Sequence, residues 1–533
     1  MTEDTAGRPA YFETGWTGGR NPWAIALVVT MATFMEILDS SIANVSLPHI
    51  AGTLSVTQDE STWILTSYLI SNAVVLPISG WLATKVGRKR FYMSCVAIFI
   101  ASSFFCGIAP NLGSLIFFRV LQGIGGGGLA PSEQAILVDT FPKAKRGMAM
   151  AVYGMAAVVA PAIGPTIGGY ITDHYSWRWV FFINVPIGLV SLALTSRMVT
   201  DPPHLARMRE RSGGIDYLGV GLIALALGCL EFVLDKGQED DWFQSGRILL
   251  FAIVSVIAIA AFIAWELKQE HPVIDIRMFT RGTFASVVLI MLGVGMVLYG
   301  PTVLFPQFEQ VMMGYTAQQA GESMTPGGFV IILLLPLVGW LTGKVSTRLL
   351  VGIGFGVMAW SLLYMSRHLY IGVDFKTVTI ARTLQMAGFA FLFVPINTLA
   401  YAGVPPEQNN AVSGIMNLAR NLGGSIGISM FTTVAARHAQ IHQRELARYT
   451  NDYSTVFVAH VHAIARGLEH AGFSSIAAAH KALAVAYGEL QQQAAQLAYL
   501  DVLRLFVVVA LCMFPLLLLV RSPPPGAQPV AAH

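Results

Sequence analysis

Fourteen apolar runs, each long enough to cross a bilayer, constrain this chain more than any other feature. A window of about 19 residues places them near 24–47, 62–83, 91–109, 114–138, 148–171, 179–198, 217–234, 248–265, 284–305, 324–343, 349–366, 377–401, 412–435 and 501–520. Hydrocarbon offers no water to bond backbone amides, so spans of this length must be helices. The fold class that follows is an all-α polytopic membrane protein with 14 transmembrane helices. Composition agrees. Charged residues make up 12% of the chain, against about 25% in a soluble domain, and mean hydropathy is +0.61.

Several classes fall away. A net charge of +3 is too small to suggest a nucleic-acid partner. Cys95, Cys106, Cys229 and Cys512 lie in apolar runs without CxxC pairing, so neither a disulfide framework nor a metal site is indicated. The polar N-terminus does not read as a cleavable signal peptide, which leaves insertion to the first helix. "GIGGGG" (123–128) contains GxGxxG, but it lies inside a span with no strand before it. It reads as close helix packing and not as a dinucleotide site. No GxxxxGK[ST] occurs, which disfavours an ATP-driven pump.

Cations recur in alternate loops: Lys85, Arg88, Lys89 and Arg90; Lys143, Lys145 and Arg146; Arg197, Arg207, Arg209 and Arg211; Lys268, Arg277 and Arg281; Lys344 and Arg348. The loops between are cation-poor ("IAPNLGS", 108–114) or acidic ("QEDDW", 238–242). Positive loops stay in the cytoplasm, so both termini are expected there, with the long segment 438–499 outside. That segment carries six of the twelve histidines: His438, His442, His460, His462, His470 and His480. Metal binding or pH sensing is open to them, and so is a plain solvated extension.

The chain repeats itself. "GWLATKV" (80–86) returns as "GWLTGKV" (339–345), 259 positions on, and "RVLQ" (119–122) as "RTLQ" (382–385), 263 positions on. Pro142 and Pro405, and Gly164 and Gly427, keep the spacing of 263. The expected organisation is a cytoplasmic tail (1–22), a six-helix bundle (23–200), linkers with two inserted helices (201–283), a second six-helix bundle (284–520) and a second cytoplasmic tail (521–533). A cavity should lie between the bundles.

Polar residues inside the spans are the candidate site. A charge at mid-bilayer costs roughly 2.5–3.5 kcal/mol on insertion scales, so each needs a reason. Glu36, Asp39, Ser40 and Asn44 share one face of the first helix, which Pro48 is expected to end. Asp39, with Glu36 assisting, reads as a proton-exchanging acid, the alternative being a hydrogen-bonded structural carboxyl. Arg119 in helix 4 is expected to couple electrostatically to Asp39, or else to anchor helix packing, with Gln122 supporting it. Glu133 is either a further protonation site or an interfacial acid paired with a loop cation. Arg420 and Asn421 in helix 13 either line the cavity or bind carbonyls of the other half.

These residues sit in motifs that resemble a known group. "LDSSIANVSLPHI" (38–50), "GWLATKVGRKR" (80–90), "FRVLQGIGGGG" (118–128), "APAIGPTIGGYI" (160–171) and "WRWVFFINVPIG" (177–188) are similar to signatures of the fourteen-helix drug:proton antiporters of the major facilitator superfamily, in the EmrB/QacA-like branch. The resemblance implies a secondary active transporter and not an enzyme. It would be driven by the proton gradient without a cofactor, exporting amphipathic or hydrophobic toxins, cationic or neutral, by alternating access. An uptake symporter or dedicated metabolite exporter of the same fold is the alternative. It implies conformational roles for Gly80, Lys85, Gly87, Arg88 and Lys89 in loop 2–3, and for Pro161, Gly164, Pro165, Gly168 and Gly169 in helix 5. It also implies a bacterial inner membrane, a periplasmic adaptor and an outer-membrane channel as partners. One departure is Thr84, which stands where the family's loop 2–3 motif usually has an acid.

Overall fold

The computed structural model describes residues 16–520 apart from 143–144, 204, 206–215, 271, 281, 343, 403, 406–407 and 452. Most of the N-terminal tail, the C-terminal tail, Lys143, Arg207, Arg209, Arg211, Arg281 and the side chain of Pro165 lie outside the described residues.

Fifteen helices carry the fold among the described residues. They are α1 (Pro22–Leu54), α2 (Gln58–Val86), α3 (Arg88–Gly107), α4 (Leu112–Thr140), α5 (Arg146–His174), α6 (Trp179–Met198), α7 (Tyr217–Lys236) and α8 (Gly246–Glu266). Then come α9 (Gly282–Met312), α10 (Ala317–Leu341), α11 (Thr347–His368), α12 (Phe375–Ala400), α13 (Asn409–Ala447), α14 (Thr455–His470) and α15 (Ser475–Leu519). Twelve are long and apolar enough to cross a membrane, and α5 makes thirteen when its two segments, bent by 41° after Pro161, count as one span. Proline withholds an amide donor, so a bend there has a local cause. The remaining expected span lies in α13, whose buried face carries Asn409, Asn410, Ser413, Asn417 and Arg420. The fourteen-helix reading thus matches α1–α13 and α15.

One expectation needs correction. Pro48 does not end α1, which continues through it to Leu54 and closes on Ser55 in the left-handed region. A proline deletes one hydrogen bond, and a membrane helix with packed neighbours absorbs that loss. The segment 438–499 is largely helix. The helix α13 runs on to Ala447, the exposed α14 follows, and α15 starts at Ser475 and enters the span without a break.

Packing follows the internal repeat. Within the first six helices α1 packs on α5 and α6, α4 on α2 and α3, and α3 on α6. The same pairs recur as α9 on α13 and α15, α12 on α10 and α11, and α11 on α15. The two sets meet along α5–α10 and α2–α13, with α7 lying over the second seam in contact with both α2 and α13.

Glycine brings the backbones together at one end. A Cβ on Gly80 would stand 2.6 Å from the Asn410 carbonyl oxygen, and one on Gly339 would stand 2.8 Å from that of Gly147. Around this crossing Asn410 Nδ2 donates to Thr84 Oγ1 (3.4 Å), Asn409 Nδ2 to Asp139 Oδ1 (2.8 Å) and Asn417 Nδ2 to Gln134 Oε1 (3.0 Å). These contacts close the end of the bundle that carries the α2–α3 loop.

Candidate functional site

Beyond that closure, residues of both helix sets line a cavity of about 310 Å3 that is open on one side. Ser40, Asn44, Tyr68, Arg119 and Pro161 line it from one set, and Leu298, Tyr299, Thr302, Met324, Arg382 and Met386 from the other.

The structure brings Asp39 and Arg119 into direct contact. Arg119 Nη1 donates to Asp39 Oδ2 at 2.6 Å, with side-chain exposures of 0% and 1%. Gln122 Nε2 (3.0 Å) and Asn184 Nδ2 (2.6 Å) donate to Asp39 Oδ1. Arg119 also donates to Gln122 Oε1 (2.9 Å) and, through Nε, to the Ile64 carbonyl (3.0 Å), and its guanidinium lies 4.3 Å from the centre of the Tyr68 ring. A buried ion pair needs further donors and acceptors to offset desolvation, and α1, α2, α4 and α6 all supply partners here, leaving only Nη2 of the Arg119 guanidinium without a described one. Asp39 sits one bond behind the cavity wall, beneath Arg119.

Glu36, one turn away, accepts from Tyr68 Oη (2.7 Å) and Asn72 Nδ2 (3.2 Å). Tyr68 therefore touches both acids' surroundings, covering Arg119 with its ring and bonding Glu36 with its hydroxyl. Glu133 is fully buried. Its Oε1 accepts from Thr30 Oγ1 at 2.5 Å, Oε2 has no described partner, and among the described residues no loop cation forms an ion pair with it. Ser40 and Asn44 line the cavity as expected, whereas Gln122, Arg420 and Asn421 are not on its wall. Gln122 is held behind Arg119. Arg420 crosses to the other helix set, donating to Tyr153 Oη (2.9 Å) as well as to Asn417 Oδ1 (2.8 Å). Asn421 lies one turn before Ser425, whose hydroxyl bonds Glu231 of α7.

The loop 2–3 residues are spread over several partners. Arg88 is buried and donates to Asp139 Oδ2 (2.5 Å) and the Ala135 carbonyl (3.1 Å). Lys89 donates through Nζ to the Ser196 carbonyl (2.6 Å) and through its amide to Asp201 Oδ1 (2.8 Å). Lys85 stacks over Trp81 at 5.7 Å. Gly87 adopts φ +98°, a conformation that glycine alone takes without strain. Thr84 meets Asn410 of the opposite set, so a neutral hydrogen bond stands where an acid was expected. In α5, Gly164 and Gly168 let α1 approach: a Cβ on Gly164 would lie 2.4 Å from Ser41 Oγ, and one on Gly168 3.0 Å from Ile42. The Pro161 carbonyl accepts from Ser41 Oγ (3.3 Å). A Cβ on Gly169 would meet nothing within 4 Å, so close packing does not require that glycine.

Four residues of the site escaped the sequence reading. Tyr68, Asn72 and Asn184 are ordinary polar residues of apolar spans, although Asn184 stood in a quoted motif. Glu309 is fully buried in a π-helical turn at the end of α9, beyond the stretch taken as a span.

Comparison with known proteins agrees with this architecture. Residues 29–428 match the family model of the Major Facilitator Superfamily. The chain is 36% identical over 430 residues to the multidrug export protein EmrB of Escherichia coli K12, covering 81% of this chain and 83% of the relative. It is 36% identical over 451 residues to the fatty acid resistance protein FarB of Neisseria gonorrhoeae, covering 84% and 87%. Among solved structures, the human organic anion transporter MFSD10 superposes with a TM-score of 0.59 over 93% of this chain and all of that one, at 11% identity. That likeness concerns the fold alone.

Proposed function

Since the chain belongs to the major facilitator superfamily, in the branch of the EmrB multidrug export proteins, we propose that it is a proton-coupled exporter of amphipathic or hydrophobic toxic compounds. It is a multi-pass membrane transporter, and it works by alternating access between the bundles 23–200 and 284–520 without a bound cofactor. The observation that carries the reading is the Asp39 carboxylate, buried one bond behind the cavity wall with Arg119, Gln122 and Asn184 bonded to it. Protonation of Asp39 removes the charge that holds Arg119, and Arg119 is itself part of the wall. Proton and cargo therefore act on the same side chain. Glu36 communicates through Tyr68, and Glu133 offers a further protonatable carboxyl towards the closed end.

The loop cations support a reading in which the closed end and both termini lie in the cytoplasm, in a bacterial inner membrane. The helical extensions of α13 and α15, with α14, then project outside, where a periplasmic adaptor leading to an outer-membrane channel would dock. Reconstituted liposomes with an imposed proton gradient test the direction: cargo should move against the proton flux, and movement with it would make the protein a symporter. Cargo-stimulated proton release from purified protein should vanish in Asp39→Asn, and release that persists in a folded variant refutes the assignment of Asp39.

A further inference from the structure

Six histidines lie in the segment 438–499, and two of them meet an acid that comes from another helix. His438 and His442 stand four residues apart on α13, and so on one face of it. Asp501 reaches them from α15, 63 and 59 positions on. Its Oδ2 lies 2.9 Å from His438 Nδ1 and 2.7 Å from His442 Nε2, and these three atoms all lie within 4.8 Å of one another. Arg504 Nη1 donates to the other carboxylate oxygen, Oδ1, at 3.0 Å, which fixes the carboxylate and leaves Oδ2 to the imidazoles. The side chains of His438, His442 and Asp501 are 41%, 26% and 21% exposed, so a hydrated ion can reach them from solvent. The exposed His460–Glu489 pair is also in contact, at 2.6 Å, but no third donor joins it among the described residues.

Two imidazoles at i and i+4 of a helix, with one carboxylate, are a ligand set that zinc takes, with water in the fourth position. Calcium and magnesium prefer oxygen ligands throughout. Zinc bonds of about 2.0 Å in a tetrahedron hold ligand atoms about 3.3 Å apart, so Oδ2 need withdraw from the two rings by only about half an ångström. Each imidazole then presents the nitrogen that now faces Oδ2 and carries its proton on the other one. We propose that His438, His442 and Asp501 form a binding site for a divalent transition-metal ion, zinc fitting the donors best. The site lies about 40 Å along α13 from Asn410 by helix rise, at the end of the bundle away from the α2–α3 loop. An ion there ties α13 to α15 at the base of the excursion that contains α14, and a cross-link closing so long an excursion removes much of its freedom. The ion is a staple with no part in moving cargo, so the inference does not rest on the export reading.

The test is equilibrium dialysis of the purified full-length protein in detergent against zinc chloride, after purification on a histidine-free affinity tag and stripping with EDTA. The wild type should retain one zinc ion per chain in a large excess of calcium and magnesium. Cobalt(II) in place of zinc should give the intense visible absorption of a four-coordinate site. His442→Ala and Asp501→Asn should each weaken zinc binding at least about tenfold, a loss that even an outer-shell partner produces, and His460→Ala should leave it unchanged. Zinc should raise the Tm of the wild type, because it binds the folded chain, and should not raise that of either ligand variant. Asp501→Asn keeps the size of the side chain, which preserves the test if His442→Ala does not fold. No zinc retained by the wild type, zinc displaced by calcium, or binding undiminished in a folded ligand variant would each overturn the inference.

Discussion

Asn111 caps α4 by accepting from the Ser114 amide, and 263 positions on Asp374 caps α12 on the Thr377 amide in the same way. Thr57 and Glu60 form a capping box on α2, and Thr316 and Gln319 form one on α10, 259 positions on. Gly80 meets Asn410 where Gly339 meets Gly147, a crossing that the same spacings map onto itself. Against this shared frame the charges diverge. Asp39, Glu36 and Glu133 correspond to Thr302, Tyr299 and Ile396, while Arg119 and Gln122 are kept as Arg382 and Gln385. Caps and crossings set backbone geometry, which both halves need. Ionisable groups set chemistry, and here the acids of the repeat belong to one half. On the proposed reading, proton handling falls to the first half, and the second presents a cation, Arg382, bonded to the neutral Thr302 and Gln385, to the cavity.

The sharpest way to break this comparison is to move the acid. Asp39→Asn should abolish cargo-stimulated proton release, and adding Thr302→Asp should not restore it, because Thr302 has no counterpart of Asn184 bonded to it. Restored release, followed with a pH-sensitive dye, would show that either half can handle the proton. Next in size, Arg119→Ala should cost about 3–5 kcal/mol of stability, since it leaves Asp39 buried without its cation. Arg382→Ala should cost about 1–3 kcal/mol, the scale of unpaired neutral partners, and equal losses in denaturant titrations would erase the distinction.

Gly80→Val and Gly339→Val should impair export to a similar degree, because each places a side chain against a backbone carbonyl of the opposite set. Cysteine labelling at the α2–α3 loop end should rise in both, and a rise in only one would show that the crossing is not symmetric in use. The smallest effect concerns the caps. The hydrogen bond from Thr377 holds the Asp374 carboxyl below its ordinary value. Its contribution is therefore complete above the usual carboxylate range and is lost as pH falls through the folded value. Melting curves between about pH 6 and about pH 3 should show a small acid-dependent loss that Asp374→Asn removes and Asn111→Ala does not.

Much of this was legible in the sequence, because hydropathy and repeat spacing are local or periodic quantities. Fourteen spans and the polar stripe of α1 follow from windows and i, i+3, i+4 spacing. The Asp39–Arg119 contact followed from the need of a buried cation for an acid in the same half. What escaped depends on how each helix is rotated about its axis. That rotation decides that Arg420 reaches Tyr153, that Ser425 meets Glu231 of α7, and that Thr84 meets Asn410 across the seam. Pro48 misled because a breaker in water is tolerated where neighbouring helices hold the chain. Glu309 was missed because a π-helical turn carries α9 past the last apolar residue that a window can register.

The inserted helix α7 touches both helix sets. Asp235 accepts from Thr66 Oγ1 of α2 (2.5 Å), Lys236 donates to Thr62 of the same helix (2.8 Å), and Glu231 takes the Ser425 hydroxyl of α13. A strap bonded to both covers of a book limits how far they open along that spine. It also walls off one flank: a compound dissolved in the bilayer meets α7 where the α2–α13 seam would otherwise face it. Among the described residues no such strap covers the opposite seam, along α5 and α10, so the insertion gives the transporter a front and a back.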